Sequence, residues 1–285
     1  MYVYLNDKLI AADEAAIAIS DAGFLYGAGL FETMRVQNSV VFGLTDHLDR
    51  LFLSSAKLGF DIPGDRNALP QAIFTVLQAN HLKDARVRLT LSSGSLSTTT
   101  DTPTPTCLIT ATQLKAYPDD YYRHGILAAL CPYRQNPADP LAGHKTTSYF
   151  SRMLGLQEAH QKKAAESLWF TTDGYLSEGC VSNVFLVREN TLMTPPIRTP
   201  VLPGVARETV CKIAVRENLD LIEKALTIDD LLGADEIFLT NVIMKVMPVV
   251  AIEKHVVGQG KVGLMTTRLI SLFEQEIQQQ CGVMV

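Results

Sequence analysis

A chain of 285 residues is long enough for one large or two medium domains, because a single core stops growing at about 250 to 300 residues. Apolar residues make up 47% and charged ones 19%, a globular composition that excludes a disordered chain or a nucleic-acid tail. The formal net charge of -5 speaks against a polyanionic partner.

In chain order, Tyr2–Ile10 reads as a hairpin with Asn6-Asp7 as its turn. Ile19–Val36 passes from a glycine-punctuated loop into an alternating strand, which Asn38-Ser39 turns back into Val40–Phe42. Gly27 and Gly29 either let backbone pass close to a ligand or relieve a tight turn. From Thr45 the apolar spacing Leu48, Leu51, Phe52, Leu58 predicts a helix capped by Thr45 or Asp46, with His47 and Arg50 in its first turns. A second helix is expected over Leu69–Asn80. Ala85–Gly94 alternates as a strand, putting Arg86 and Arg88 on one face and Val87 and Leu89 on the other. The two cations either face solvent or meet an anionic substrate. Ser95–Pro105 reads as a loop and Thr106–Thr112 as a further strand.

A second domain is expected to open with a strand at Ile126–Pro132. After it come a loop with Pro137 and Pro140, a helix Tyr149–Lys163, and strands at Ser167–Thr172, Tyr175–Glu178 and Asn183–Val187. Helices are expected at Glu208–Glu217 and Ile228–Leu232, a strand at Glu236–Thr240, and a terminal helix at Leu264–Gln279. The cysteines Cys107, Cys131, Cys180, Cys211 and Cys281 are odd in number and form no CxxC pair, which predicts reduced thiols rather than a disulfide frame or a zinc site. The longest apolar runs, such as Gly125–Cys131, fall well short of the roughly 20 residues of a membrane helix. Met1–Lys8 has no basic region followed by an apolar one, so a cytoplasmic protein is expected.

The segment Leu141–Phe150 sets one lysine, Lys145, between a loop and a helix. Downstream follow Leu176-Ser-Glu-Gly-Cys-Val-Ser-Asn-Val-Phe185, Val201-Leu-Pro-Gly-Val-Ala-Arg207 and Phe238-Leu-Thr-Asn-Val242. In this combination the chain resembles the fold type IV (class IV aminotransferase) family of pyridoxal-phosphate enzymes along almost its whole length. The resemblance implies a two-domain α/β fold, with a smaller N-terminal domain over 1–115, a linker over 116–122 and a larger, barrel-like cofactor-binding domain over 123–285. It implies a homodimer with shared active sites, to which the segment around Tyr26 would contribute, and a small amino substrate carrying a carboxylate.

The resemblance also implies roles. Lys145 matches the lysine that forms a Schiff base with pyridoxal 5'-phosphate and then shuttles a proton. Glu178 matches the carboxylate that keeps the pyridine nitrogen protonated, so that the ring can draw electrons. Arg50, the segment Gly204-Val205-Ala206 ahead of a helix, and Thr240 with Asn241 match the phosphate contacts. Tyr149 is either the contact of the cofactor's phenolic oxygen or a core tyrosine. His144 and Arg207 are read as structural, Arg207 through ion pairs. Tyr26, Thr33, Arg35, Arg86 and Arg88 are candidates for the substrate pocket.

Among the family's reactions the local sequence looks most like aminodeoxychorismate lyase, which releases pyruvate and 4-aminobenzoate for folate synthesis. Branched-chain transaminases tend to have Phe-Glu-Gly where this chain has Phe31-Glu32-Thr33, and D-amino-acid transaminases tend to have an arginine where it has Ser93. Transamination of branched-chain L-amino acids or of D-amino acids, with 2-oxoglutarate as acceptor, is the second expectation.

Overall fold

Residues 1–59, 62, 66–95 and 105–282 are described by the computed structural model; most of the loop expected over Ser95–Pro105 lies outside them. The chain separates into two units. One contains residues 1–115, His144–Tyr149 and the end of the chain from Ile277, and the other contains Ala116–Gly143 and Phe150–Glu276.

The first unit is built on an antiparallel sheet. Strands β1 (Tyr2–Leu5) and β2 (Lys8–Ala11) form the expected hairpin, with Asn6 and Asp7 at φ 47° and 67°, the left-handed pair that a two-residue turn requires. A short helix, α1 (Ala22–Tyr26), interrupts the stretch expected to be loop; Asp21 caps it by accepting from the Gly23 and Phe24 amides. Strand β3 (Gly29–Gln37) turns at Asn38-Ser39 into β4 (Val40–Val41). Helix α2 (Leu44–Leu58) starts after Gly43 at φ 63° with no side-chain cap, so neither Thr45 nor Asp46 is its cap. Helix α3 (Ala68–Ala79), β5 (Ala85–Ser92) and β6 (Thr106–Gln113) complete the unit.

The sheet order is β2-β1-β6-β5-β3-β4. Leu30, Met34 and Val36 of β3 and Val87, Leu89 and Leu91 of β5 share a core with Leu48, Leu51, Ile73, Val76 and Leu77 of the two helices. Side chains alternate along a strand, so the odd-numbered residues of β3 and the even-numbered residues of β5 lie on the other face.

In the second unit, α4 (Asp119–His124) begins inside the stretch expected to be linker. Strand β7 (Ile126–Gln135), helix α5 (Phe150–Gln161), β8 (Glu166–Thr171), β9 (Leu176–Gly179), β10 (Asn183–Arg188) and β11 (Thr191–Thr194) follow. Helix α6 spans Val205–Arg216 with Gly204 as its cap; it starts earlier than expected, so Val205 and Ala206 lie in its first turn. Strand β12 (Leu221–Glu223), α7 (Ile228–Leu232), β13 (Glu236–Asn241), β14 (Lys245–Ile252), β15 (His255–Val256) and α8 (Leu264–Cys281) end the chain.

These strands form one barrel-like sheet in the order β12-β11-β10-β13-β14-β7-β8-β9, with β15 on β14. Its core holds Leu168, Leu176, Val184, Leu186, Ile237, Leu239, Met247 and Val249. The fold is a mixed α/β fold with two sheets, as expected. The sequence reading missed β14, a central strand that contains Pro248. Proline lacks a ladder donor and normally argues against such a place. Among the described residues no helix is long and apolar enough to cross a membrane, and all five cysteines are free thiols.

Candidate functional site

Lys145 belongs to the first unit because backbone pairing lays its segment along the start of β3. The Phe31 amide donates to Lys145 O at 2.9 Å and the Thr147 amide to Gly29 O at 2.8 Å, while Thr147 Oγ1 donates to Gly27 O at 2.7 Å. This close approach accounts for the two glycines. A Cβ on Gly29 would sit 2.5 Å from Leu91 O and 2.8 Å from Thr147 Oγ1, and one on Gly27, at φ 69°, 2.7 Å from Ser148 Oγ.

The half-buried Lys145 amine lies 4.7 Å from the centre of the Phe31 ring. The Arg88 guanidinium lies 3.9 Å from the same ring, and Tyr149 meets it edge-on at 5.4 Å. His144 bonds to Ser54 Oγ at 2.9 Å, the structural use expected of it.

On the helix side of β3, Glu32 joins two α2 residues. Arg50 donates through Nε to Glu32 Oε1 at 2.8 Å and through Nη2 to Oε2 at 2.5 Å, and His47 Nδ1 lies 2.7 Å from Oε2. Burial alone would raise the Glu32 pKa; the Arg50 charge and the His47 bond outweigh it and hold it at about 2. Burial pushes His47 below its ordinary value, and Arg50 and Lys145 add to this against the opposing pull of Glu32. An ionised carboxylate only accepts, so His47 donates to it through Nδ1, and its buried Nε2 has no partner among the described residues. Sequence reasoning named Arg50 only as a phosphate contact and missed this Glu32–His47 support. The glutamate lies at an odd place for a charge, on the apolar face of a strand.

The face of β3 and β5 that carries Phe31 also carries the candidate substrate residues. Thr33 stands opposite Arg88 and Arg35 opposite Arg86. Arg35 is buried, Arg88 half-buried and Arg86 exposed. Burial, and then the charge of Arg86, lower the Arg88 pKa. Tyr26, at the end of α1, is 69% exposed.

In the second unit, the buried Glu178 is gripped from several directions. Arg152 of α5 donates to Oε1 at 2.6 Å and to Gly179 O at 2.8 Å. The Leu202 amide donates to Oε2 at 2.9 Å, and Asn183 Nδ2 lies 3.5 Å from it. Neither Arg152 nor Asn183 was singled out from sequence, although Asn183 stands in the quoted motif. Asn183 also donates to Leu202 O at 2.9 Å, and a Cβ on Gly204 would fall 2.0 Å from Asn183 Oδ1, so only glycine fits there.

Across the ladder Asn183 faces Thr240, whose buried Oγ1 has no hydrogen-bond partner among the described residues. The first-turn amides of α6 have no side-chain cap and by helical geometry no intrahelical acceptor. An unpartnered hydroxyl near a helix amino terminus is a place for an anion, and a phosphate group fits that donor set. The side chain of Asn241 is engaged elsewhere, accepting from the Ile243 and Met244 amides and donating to Val181 O; it shapes the turn. Arg207 makes the expected structural contacts, donating to Pro195 O at 3.1 Å and Glu223 at 2.6 Å.

Over 290 aligned residues the chain is 32% identical to a Methanocaldococcus jannaschii protein assigned by name as a branched-chain-amino-acid aminotransferase, covering 100% of this chain and 99% of the other. It is 28% identical to the D-alanine aminotransferase of Bacillus licheniformis, with 97% of each chain covered. The crystal structure of the Escherichia coli branched-chain amino acid aminotransferase superposes with a TM-score of 0.91 at 27% identity, covering 96% of this chain and 93% of that one. A Legionella pneumophila protein assigned by name as 4-amino-4-deoxychorismate lyase superposes with a TM-score of 0.86 at 23% identity, covering 93% and 97%; at that identity it shares the fold alone. Residues 29–252 match the family model for amino-transferase class IV, and the chain therefore belongs to that family of pyridoxal 5'-phosphate-dependent enzymes.

Proposed function

We propose that this enzyme is an aminotransferase that takes the amino group of a branched-chain L-amino acid and returns it to a 2-oxo acid such as 2-oxoglutarate. The observation that carries this reading is the pairing of the Lys145 amine and the Arg88 guanidinium on one ring, Phe31, at 4.7 and 3.9 Å. An amino acid presents an amine and a carboxylate a few bonds apart. One cation takes the carboxylate while the neighbouring amine works at the carbon between them. Full-length similarity to aminotransferases supports it further.

When bound, pyridoxal 5'-phosphate supplies an electron-poor ring that accepts the electron pair of a broken C–H bond. Lys145 would hold the cofactor through its amine and, with that amine free, would take up and return the proton at the substrate α-carbon. Glu178, fixed by Arg152 and the Leu202 amide, supplies the negative charge for the ring nitrogen. The α6 amides of Val205 and Ala206, with Gly204, Thr240 and Arg50, take the phosphate; Asn241 braces the adjoining turn, and Tyr149 bonds the phenolic oxygen. Arg35, Arg86 and Arg88, with Thr33, bind the substrate carboxylate. A second copy of the chain covers the exposed Phe24, Leu25 and Tyr26 in a homodimer and shares its pockets.

The lyase reading is kept as the second, on the strength of Phe31-Glu32-Thr33. Supplying L- and D-amino acids with 2-oxoglutarate, and separately 4-amino-4-deoxychorismate, distinguishes them. Keto-acid formation from branched-chain L-substrates is expected. Release of 4-aminobenzoate without amino transfer would replace this proposal with the lyase, and turnover confined to D-substrates would reverse the stereochemical assignment.

A further inference from the structure

Glu166, at the start of β8, is 1% exposed, and the chemistry above does not use it. Its carboxylate accepts at Oε1 from the Ser167 amide at 2.9 Å and the Cys180 amide at 3.0 Å. At Oε2 it accepts from the Val181 amide at 3.2 Å and Ser182 Oγ at 2.8 Å. Most of these donors belong to the turn that joins Glu178 to Asn183. A Cβ on Gly179 would fall 2.8 Å from Glu166 Oε2 and 2.3 Å from Ser182 Oγ, so the turn is folded tightly onto this carboxylate. The same turn offers Val181 O to Asn241 and Gly179 O to Arg152.

We propose that Glu166 is a positioning residue whose carboxyl group braces the turn over residues 179–182 and thereby aims Glu178 and the Asn183 amide. The proposal rests on the reading of Glu178 as the partner of the cofactor's ring nitrogen. Both oxygens of the Glu166 carboxyl group accept here, and a carboxyl group has acceptor capacity at each. Glutamine is the same size but would turn an NH₂ group either toward both the Val181 amide and the Ser182 hydroxyl or toward the Ser167 and Cys180 amides. Ser182 can rotate to accept; the backbone N–H groups of Val181, Cys180 and Ser167 cannot, and in either orientation the turn must shift to relieve the clash between donors. That shift passes directly to Glu178 and Asn183, which flank the turn.

The test uses purified holoenzyme of the parent and the variants Glu166→Gln, Glu178→Gln and the double variant. Readouts are the dissociation constant of pyridoxal 5'-phosphate and the pH at which the visible band of the bound cofactor changes, with far-UV circular dichroism to verify folding. Glu166→Gln is expected to weaken cofactor binding about tenfold, the loss of one hydrogen bond, and to move the pH midpoint. In the Glu178→Gln background most of that effect disappears. Parent-like binding and midpoint in Glu166→Gln, or an effect that persists in full without the Glu178 carboxylate, overturns the proposal. If Glu178→Gln alone leaves both readouts unchanged, it is the reading of Glu178 that fails. Should Glu166→Gln not fold, Ser182→Ala removes one donor from the same carboxylate; it is expected to shift both readouts in the same direction by a smaller amount, and no shift refutes the bracing role.

Discussion

Glu32 grips Arg50 by both carboxylate oxygens, at 2.8 and 2.5 Å, in a pair whose carboxylate side is 1% exposed. Removing one partner of such a buried pair leaves the other charge uncompensated. Glu32→Gln is therefore expected to cost about 3 to 5 kcal/mol at neutral pH, read from chemical denaturation. The pH dependence follows from a folded-state pKa of about 2 against an ordinary 4.5. A depressed carboxylate pKa contributes stability that is fully present above the ordinary value and is lost as pH falls through the folded one. The difference in melting temperature between the parent and Glu32→Gln should be constant above about pH 5 and shrink steadily toward pH 2. A difference independent of pH would contradict the ion pair.

Thr240 gives a prediction in which two quantities change differently. Its Oγ1 is buried and makes no hydrogen bond among the described residues, so Thr240→Val removes a desolvated hydroxyl and the cofactor-free protein should melt at the same temperature or slightly higher. If the hydroxyl serves the phosphate, affinity for pyridoxal 5'-phosphate falls about tenfold, and Thr240→Ser retains it. Equal affinity in parent and Thr240→Val would remove Thr240 from the phosphate site.

Gly204→Ala places a methyl group 2.0 Å from Asn183 Oδ1. The amide must rotate away from Glu178 and Leu202 O, or α6 must retreat. Overpacking of this kind costs about 1 to 3 kcal/mol, and cofactor affinity should fall with it. A titration showing full affinity would mean that the cap of α6 is not part of the phosphate cradle.

Lys145→Ala removes the amine and should abolish the borohydride-sensitive visible band and the turnover while leaving folding intact. A band unchanged in this variant refutes the lysine assignment. Arg88→Ala is expected to raise KM for the amino acid by about one to two orders of magnitude, the loss of a charge-assisted bond, with a smaller change in cofactor affinity. An unchanged KM would transfer the carboxylate to Arg35 or Arg86.

How much of this was legible in the sequence depended on how local the signal was. The Asn6-Asp7 and Asn38-Ser39 turns were readable because left-handed backbone has few residue solutions, and β5 because alternation names its two faces. β14 was missed because a buried central strand lacks alternation and Pro248 argues against it. Helix α6 was placed late because its cap is glycine and carries no side-chain signal. Lys145 and Glu178 stood out through motif resemblance, whereas Glu32, His47, Arg152 and Glu166 take their meaning from partners distant in the chain. The choice of reaction was least legible: the side chains that led the reading toward a lyase differ from the transaminase pattern at single positions, and full-length similarity points to amino transfer.

The pairing of Asn183 with Thr240 across the ladder has a geometric corollary. Asn183 approaches the glutamate and its opposite number carries a hydroxyl with no partner among the described residues, so the pleat of two neighbouring strands fixes the spacing between the acid and that hydroxyl. A sheet cannot stretch by one bond length without slipping a whole residue, which would turn every side chain on the strand to the other face. If Glu178 takes the ring nitrogen and the α6 cap the phosphate, the second unit is calibrated for one length of ligand, and a pyridine whose phosphate arm is a methylene longer should bind more weakly.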